Sequence, residues 1–368
     1  MKALYMDKHM CMLFALLRGG LHGGVPEMDP FRGASAEDWK NCYRLAARQG
    51  VMALAWDGVV RLSADLQPPR MVKLSWAAGV AAYEEKYLRY CRTVDELSRY
   101  YAGHGIAVMQ LKGVGFSTLY PVPAHREGGD IDIYTYSVDK NRLSDAEANR
   151  LADTLMQQQG IEVDTSHTVK HSNFHYKGIP IENHKTFLNV ESYEMAGRVE
   201  QLLKESMQPQ LATLAEGEVR VPSPAFNTLF IAFHAVQHYG SGLALHHLCD
   251  WAVLISRFGL HIPEGIKDKG FRHAIEALTL LCNRYLGTSV EVSVEDTAMA
   301  DEMLAEILCP KYPAEVPARS KWGILVYKTR RLLHNHRLKS RILHASLSRR
   351  LWDSFVAHLR RPETIFAT

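Results

Sequence analysis

Apolar residues in the first part of the chain recur every three to four positions, which is the spacing of an amphipathic helix. Residues 10–17 and 69–103 carry this pattern. The second segment ends at Gly103-His104-Gly105, and glycine commonly terminates a helix at such a position. The pattern therefore predicts an N-terminal helical region over residues 1–103.

The hydrophobic pattern changes at Ile106, where short apolar runs and strict alternation replace the helical spacing. Strands are predicted at residues 106–111, 130–136, 168–176 and 179–184, and a helix at 144–159. Lys177-Gly178 lies between the last two strands and is typical of a tight hairpin turn. These elements predict a small α/β core over residues 104–195.

Helical spacing returns after the core and continues to the end of the chain. The predicted helices cover residues 222–239, 243–258, 271–286, 294–308 and 320–359. They form a C-terminal helical region over residues 196–368 with a basic end. The fold class that follows is α+β, a small sheet-containing core enclosed by N-terminal and C-terminal helices.

The overall charge balance says little about partners, because 43 Lys and Arg residues nearly offset 40 Asp and Glu residues. The distribution says more. Between residues 319 and 361 we count about twelve Lys or Arg residues and one acid, Asp353, interleaved with apolar positions. This favours an amphipathic helix with a solvated basic face. Alternatively, the face binds a polyanion such as RNA or anionic lipid.

The six cysteines lie far apart and form no C-x-x-C pair. A chain this long does not need disulfides, so we expect reduced thiols in a cytoplasmic protein. No apolar run approaches the roughly 20 residues of a membrane span. Residues 10–17 have the length of a signal-peptide core, but Asp7 and Arg18 flank them and favour a buried N-terminal helix.

Two aspartates open the predicted strand at residues 130–136. Side chains at positions i and i+2 of a strand point to the same face, so Asp130 and Asp132 project together. Two neighbouring carboxylates repel each other unless a cation lies between them, and oxygen-rich sites of this kind suit Mg²⁺. The alternative is a solvated strand face, because acidic pairs at this spacing are common.

A third acid is expected from a neighbouring strand, and Glu182 is the best candidate because it shares a face with His184. Together with Asp130 and Asp132 it would hold two metal ions about 3.5–4 Å apart, the arrangement that stabilises attacking and leaving oxygens in phosphoryl transfer.

The turn upstream of the acids, Lys112-Gly113, ends one strand and opens a helix. Such a turn presents backbone N–H groups and a positive dipole end to a phosphate, and Lys112 or Ser117 would add contacts. Entry into the helix also explains Gly113 by itself. The order of strand, glycine turn, helix, acidic strand and second acidic strand is more specific than any one motif.

Three motifs in this order carry a resemblance to a known family. L-K-G-x-x-x-S-x-L-Y-P begins at Leu111, R-x-x-G-D-I-D-I begins at Arg126, and I-E-x-H begins at Ile181. The sequence resembles the uncharacterised nucleotidyltransferase family, within the DNA polymerase beta-like nucleotidyltransferase superfamily. The resemblance covers about residues 111–184 and extends loosely over the helical flanks.

The resemblance implies a mixed β-sheet whose aspartates, Asp130 and Asp132, bind metal together with Glu182. It implies transfer of a nucleoside monophosphate from an NTP such as ATP to an acceptor hydroxyl. Two Mg²⁺ ions are expected, with Mn²⁺ as a substitute, and Glu182 is a general base in one version. The usual Gly-Gly or Gly-Ser pair of the superfamily is replaced here by Gly113-Val114-Gly115.

The nucleotide contacts expected from this reading are Lys112, Gly113, Gly115, Ser117, Arg126 and His184. Arg126 either reaches a phosphate or pairs with Asp130 or Glu127 to hold the turn. His184 orients Glu182 through a hydrogen bond or contacts the acceptor.

Four histidines in the C-terminal region form another group, His234 and His238 on one predicted helix and His246 and His247 on the next. Histidines at i and i+4 face the same way, so they suit a zinc site. They also suit a helix interface or the lining of a cleft, and H-x-x-x-H without a flanking Glu is common.

Two classes of function remain open at this point. The first is an active nucleotidyltransferase whose acceptor is a small molecule, a protein hydroxyl or an RNA end. The second is a non-catalytic protein that retains the fold and binds a nucleotide or a partner. Two aspartates and a candidate third acid favour the enzyme, because a binding module has no use for two-metal geometry.

Overall fold

The computed structural model describes residues 6–165, 170–190, 193, 195–293, 297–313, 315–316, 320–344, 346–348 and 351. Within these ranges, twelve α-helices surround a seven-stranded mixed sheet. The predicted fold class, α+β with helical regions on both sides of a small core, is confirmed.

Four helices fill the N-terminal region. They are α1 (Lys8–His22), α2 (Ala36–Arg48), α3 (Met52–Val59) and α4 (Arg70–Ala102). A reciprocal capping box starts α2, since the Ser35 hydroxyl accepts the N–H of Asp38 and the Asp38 carboxylate accepts the N–H of Ser35. The long helix α4 follows Pro69 and ends at Gly103, as its sequence predicts.

The sheet has the strand order β3-β4-β5-β2-β1-β7-β6. The strands are β1 (Ile106–Gln110), β2 (Ile131–Ser137), β3 (Val163–Asp164), β4 (His171–Tyr176), β5 (Ile179–His184), β6 (Gln210–Thr213) and β7 (Glu218–Val221). The pairs β2–β5 and β1–β7 are parallel and the other pairs are antiparallel. The four predicted strands are present, although residues 168 and 169 lie outside the described residues.

Strands β6 and β7 correct the expectation that the chain is purely helical after residue 195. They form a hairpin whose turn contains Gly217 at a positive φ of 81°, and β7 extends the sheet beside β1. Strands of four residues carry too few positions to establish a period of two. In addition, most of β6 is exposed, so its apolar signal is weak. The sheet therefore extends past the predicted core boundary.

Two helices belong to the core, the short α5 (Gly113–Ser117) and α6 (Asp145–Gln158). The predicted capping box of α6 is present, with Ser144 and Glu147 bonded reciprocally. Because side chains alternate along a strand, Ile131, Ile133 and Ile181 all pack on the face covered by α4 and α6. The opposite face, which carries Asp132 and Glu182, is turned toward the C-terminal helices.

The C-terminal helices are α7 (Ala196–Glu205), α8 (Pro224–His238), α9 (Leu245–Phe258), α10 (Lys269–Leu281), α11 (Ala298–Leu308) and α12 (Lys321–Leu343). Helices α8 and α9 are buried on most sides, with Phe226, Phe230 and Trp251 almost fully enclosed. The predicted helices at residues 222–239, 243–258, 271–286 and 294–308 are present. The predicted helix 320–359 ends earlier, because α12 stops at Leu343 and His344 has a positive φ of 51°, and most of the rest of that prediction lies outside the described residues. The described start of α11 follows residues 294–296, which lie outside the described ranges.

Helix α12 has the amphipathic packing predicted for the basic segment. It buries Ile324, Leu338 and Ile342 against the body, whereas Arg341 on its outer side pairs with Glu302 at 2.8 Å. Most of residues 345–361 lie outside the described residues, so polyanion binding by this segment stays a prediction.

The helices of the described ranges all fall short of the combined length and apolar character that crossing a membrane requires. The six cysteines are free thiols, and Cys309 is the exposed member of the set.

Candidate functional site

The register between β2 and β5 brings the predicted acids together. The two strands run parallel with Asp132 beside Glu182 and Tyr134 beside His184. One ligand atom from each of Asp132, Glu182 and His184 lies within 4.8 Å of the others. Asp130 lies outside this group of three, one residue before the start of β2. Below, the carboxylate site means Asp130, Asp132 and Glu182.

Asp132 is buried, with 1% of its side chain exposed, and both of its oxygens have partners. Nζ of Lys112 lies 3.0 Å from Oδ2, and Nε2 of His184 lies 3.0 Å from Oδ1. Burial alone would raise the pKa of Asp132, but the charge of Lys112 and the hydrogen bond from His184 outweigh it and lower the pKa. Asp132 is therefore held as a carboxylate.

The pKa of Asp130 is shifted in the opposite direction to that of Asp132. Burial raises the pKa of its carboxyl, and the charge of Asp132 raises it further, while Lys112 offsets only part of this. Glu182 contributes to the same repulsion. Three acids therefore share one region, and the charge that would relieve their repulsion is a cation.

The turn that precedes β2 is anchored by α3 and α4. Nδ1 of His125 lies 2.9 Å from the Asp57 carboxylate, and its Nε2 lies 3.0 Å from Glu84. The hydroxyl of Tyr90 donates to the carbonyl of Gly129 at 2.9 Å. These bonds fix the chain that delivers Asp130 to the site.

Glu182 lies between two histidines on the same face of the sheet. Its Oε2 is 3.5 Å from Nε2 of His184 and 3.4 Å from Nε2 of His171. Burial raises the pKa of Glu182, but the hydrogen bond with His184 and the nearby histidines lower it overall. A cleft of about 920 Å³ opens beside Glu182 and Asp130. His184 thus lies between Asp132, at 3.0 Å, and Glu182, and its predicted role in orienting Glu182 stays a prediction.

A buried polar network on the opposite face fixes this strand register. Nδ2 of Asn183 donates to Asp153 at 2.8 Å, and Nδ2 of Asn149 donates to Oδ1 of Asn183 at 2.9 Å. Thr135 on β2 also donates to Oδ1 of Asn183 at 2.9 Å. The hydroxyl of Ser172 on β4 donates to Asp153 at 2.7 Å. Three strands and α6 are therefore tied at the level of the carboxylate site.

The glycines of the upstream turn have local structural roles. Gly113 has a positive φ of 61°, and a Cβ there would meet Nε2 of Gln110 at 2.8 Å. A Cβ at Gly115 would meet Val221 of β7 at 2.8 Å. Ser117 is 1% exposed and donates to the carbonyl of Val114 at 2.6 Å. Lys112 thus contacts Asp132 of the carboxylate site, whereas Ser117 is buried within the turn.

Arg126 makes an ion pair that the sequence analysis did not anticipate. Its guanidinium forms a bidentate pair with Asp250 of α9, at 2.8 and 2.7 Å, and the hydroxyl of Tyr120 donates to the same carboxylate at 2.6 Å. The predicted turn partners were Asp130 and Glu127. The pair with Asp250 instead fastens the C-terminal helices to the turn before β2, because both side chains are at most 10% exposed.

Three of the four predicted histidines meet at the C-terminal helices. One ring nitrogen from each of His234, His238 and His247 lies within 4.8 Å of the others, and we call these three the histidine cluster. Burial lowers the pKa of His238 to about 4, and burial followed by the charge of Lys112 lowers that of His234. The cluster is therefore neutral at physiological pH and lies near the carboxylate site.

Sequence reasoning missed two neighbours of the acids, Lys170 and His171. Burial lowers the pKa of Lys170, and the charge of Lys112 lowers it further, so the two ammonium groups are close. His171 could have been found, because a two-residue turn at 177–178 sets the hairpin register that pairs it with His184. Lys170 lies one residue before β4, within the predicted strand at residues 168–176, and the strand pattern did not mark it as a neighbour of the acids.

The site therefore combines acids on adjacent strands of a mixed sheet with a lysine from a strand–glycine–helix turn. This combination defines the class of protein to which the chain belongs. The sequence profile of the family described as "Uncharacterised nucleotidyltransferase" matches residues 35–287, which is more than half of the chain. The chain belongs to this family. The family resemblance inferred from the three motifs is confirmed.

One solved structure shows weaker similarity. It is described as the crystal structure of an antigenic nucleotidyltransferase-like protein from Paracoccidioides brasiliensis, with 14% identity and a TM-score of 0.36. The match covers 55% of this chain and 94% of that one. A TM-score at this level supports no argument about function. No curated protein matches the sequence.

Proposed function

We propose that this protein is a divalent-metal-dependent nucleotidyltransferase that moves a nucleoside monophosphate from an NTP to an acceptor hydroxyl. The observation that carries the proposal is the parallel register that sets Asp132 beside Glu182, with Asp130 at the entrance to the same strand. Membership of the family supports the general class of reaction.

The residues present fit Mg²⁺ or Mn²⁺. Carboxylate oxygens are the ligands that Mg²⁺ prefers, and the raised pKa of Asp130, caused by burial and then by Asp132, indicates unrelieved repulsion among the acids. Asp130, Asp132 and Glu182 would hold the metal. Bound there, it supplies positive charge to the triphosphate and lowers the pKa of the acceptor hydroxyl.

In the alternative role, in which Asp130 and Asp132 alone hold the metal, Glu182 is suited to accept the proton of the acceptor hydroxyl. Its side chain is 24% exposed and lines the large cleft, so an acceptor can reach it. The hydrogen bond with His184 helps to keep the pKa of Glu182 low despite burial, so the group is a carboxylate at neutral pH. His184 and His171 hold it in position.

Lys112 and Lys170 are suited to bind the phosphates. Nζ of Lys112 lies 3.0 Å from Asp132, and a triphosphate offers its ammonium group a second anion. The backbone of Gly113 and Gly115 lies beside this lysine and is the proposed wall of the phosphate site. Arg126 supports the wall directly, since its Nη1 donates to the carbonyl of Gly113 at 3.3 Å, and Ser117 supports it through Val114.

One observation favours the alternative of a non-catalytic nucleotide- or partner-binding protein. Lys112 and His184 each contact one oxygen of Asp132. The same contacts are expected in a site where the lysine ammonium group takes the place of a metal ion. The two candidates differ in metal dependence, because nucleotide binding by a site of this second kind does not require Mg²⁺.

The acceptor can be sought directly with α-³²P-labelled NTPs. Full-length protein is incubated with each labelled NTP, Mg²⁺ and fractionated cell extract, and the fractions are examined for a labelled molecule. We expect label transfer with the wild type and with Asp65→Asn, an exposed aspartate, but not with Asp130→Asn. Equal labelling by Asp130→Asn would overturn the proposal.

A further inference from the structure

We propose that the histidine cluster is a Zn²⁺ site, separate from the carboxylate site and independent of the transferase reaction. His234 and His238 are one turn apart on α8, and His247 is in the first turn of α9. A metal held by the three would link the two helices across the loop at residues 239–244.

The geometry is close to that of a three-histidine site. The three nitrogens lie within 4.8 Å of one another, and tetrahedral Zn²⁺ with Zn–N bonds of about 2.0–2.1 Å brings such atoms to about 3.3–3.4 Å. Small rotations of the rings close this gap. The rings of His234 and His238 are 4.6 Å apart between centroids, and that of His247 lies 4.8 Å from His238.

The two histidines of α8, His234 and His238, have ring nitrogens that can bind a metal ion. Within the described residues, the structure gives neither imidazole a hydrogen bond, and both side chains are only partly buried. Their ring nitrogens are therefore accessible to an incoming metal ion. Because both rings are neutral, the lone pairs are available without loss of a proton.

His247 has a competing bond that the metal would have to replace. Its Nδ1 accepts the N–H of Ala244 at 3.1 Å, at the start of α9. Coordination through Nδ1 uses the same lone pair, and coordination through Nε2 places the proton on Nδ1. Either route breaks this bond, and the bond from the ring nitrogen to the metal replaces it.

The ligand type separates this site from the carboxylate site. Three imidazoles suit Zn²⁺ and other late first-row ions, whereas carboxylates suit Mg²⁺. Three protein ligands leave a fourth position for water or for an oxygen of a bound molecule. Two lysines have the largest charge effects on the cluster. Lys339 has the larger effect on His238 and donates to the hydroxyl of Ser241 at 2.7 Å. Lys112 acts on His234 and is paired with Asp132, which limits its repulsion of a metal ion.

The test uses Co²⁺ as a spectroscopic substitute for Zn²⁺ on metal-free full-length protein. We expect one equivalent of Co²⁺ to give the intense visible absorption of a tetrahedral site and Zn²⁺ to displace it. His234→Gln and His238→Gln should each weaken binding more than about 100-fold, beyond the 10–100-fold typical of a lost outer partner. His261→Gln, at an exposed histidine, is the matched control.

Two further variants distinguish this site from the proposed active site. Asp130→Asn and Glu182→Gln should leave the Co²⁺ spectrum unchanged, and so should the absence of NTP. A thermal melt of each variant checks folding, and Zn²⁺ should raise the wild-type Tm but not that of His234→Gln. The proposal is overturned if the wild type gives no tetrahedral absorption, or if the spectrum survives in both α8 variants.

Discussion

The carboxylate site and the histidine cluster lie near the same lysine, Lys112, but are supported in different ways. The acids stand on adjacent strands whose register is fixed by Asn183 and its partners on the opposite face. The histidines stand on two helices joined by a loop. The comparison teaches that a sheet can hold repelling charges at fixed spacing, whereas the helix pair presents neutral groups that can adjust.

The largest effect is expected at the acids themselves. Asp130→Asn removes a proposed metal ligand and its charge while keeping the shape of the side chain. We expect nucleotide transfer to fall about a thousandfold, which corresponds to about 4 kcal/mol of activation barrier. Steady-state pyrophosphate release measures this. Retention of more than a tenth of the activity would contradict the assigned role of Asp130.

The next largest effect is expected at the buried ion pair between Lys112 and Asp132. Lys112→Met leaves Asp132 buried with His184 as its remaining partner, and loss of one member of a buried pair costs about 3–5 kcal/mol. Urea unfolding measures the loss, and the added change Asp132→Asn should restore much of it. If the single variant loses less than about 1 kcal/mol, the pair does not bear on stability.

The supporting network predicts a smaller loss. Asn183→Ala removes the amide that joins Asn149, Thr135 and Asp153. It leaves Asp153 with Ser172 as its remaining partner, so we expect the free energy of unfolding to fall by about 2–3 kcal/mol. Transfer should also weaken, because the register that sets Asp132 beside Glu182 loosens. Asn141→Ala, on the exposed turn after β2, is the control. Normal stability and normal activity of Asn183→Ala would show that the network does not support the carboxylate site.

The histidine cluster predicts a pH dependence. The folded-state pKa of His238 is about 4, below its ordinary value of 6.5, so the unfolded chain binds more protons between these values. Stability should therefore fall as the pH drops from about 6.5 toward 4, by on the order of 1–3 kcal/mol. His238→Asn should flatten this part of the profile. An identical profile for the variant and the wild type would contradict the buried neutral state.

Much of the carboxylate site could be read from the sequence, because its information is local. Alternation around Asp132 gave the strand and its polar face, and the tight turn at Lys177-Gly178 gave the hairpin. The pairing of β2 with β5 is parallel and nonlocal, so the strand pattern offered Glu182 only as a candidate, and the resemblance then supported it as the third acid.

Other features depend on contacts between distant parts of the chain. Arg126 and Asp250 are 124 positions apart, and no local pattern marks either as the other's partner. Asn183 looks out of place on a buried strand until α6 and its acid, Asp153, are packed over it. The β6–β7 hairpin was missed because each strand has four residues. Packing, rather than periodicity, determines these features.

The central claim is that the acids bind a nucleotide through a divalent metal, and calorimetric titration of ATP tests it most directly. The wild type should bind ATP in the presence of Mg²⁺ and at least tenfold more weakly in EDTA, and Asp130→Asn should lose the metal-dependent part. Asp65→Asn should behave as the wild type. Equal affinity with and without Mg²⁺ would contradict the account and support a metal-independent nucleotide-binding protein.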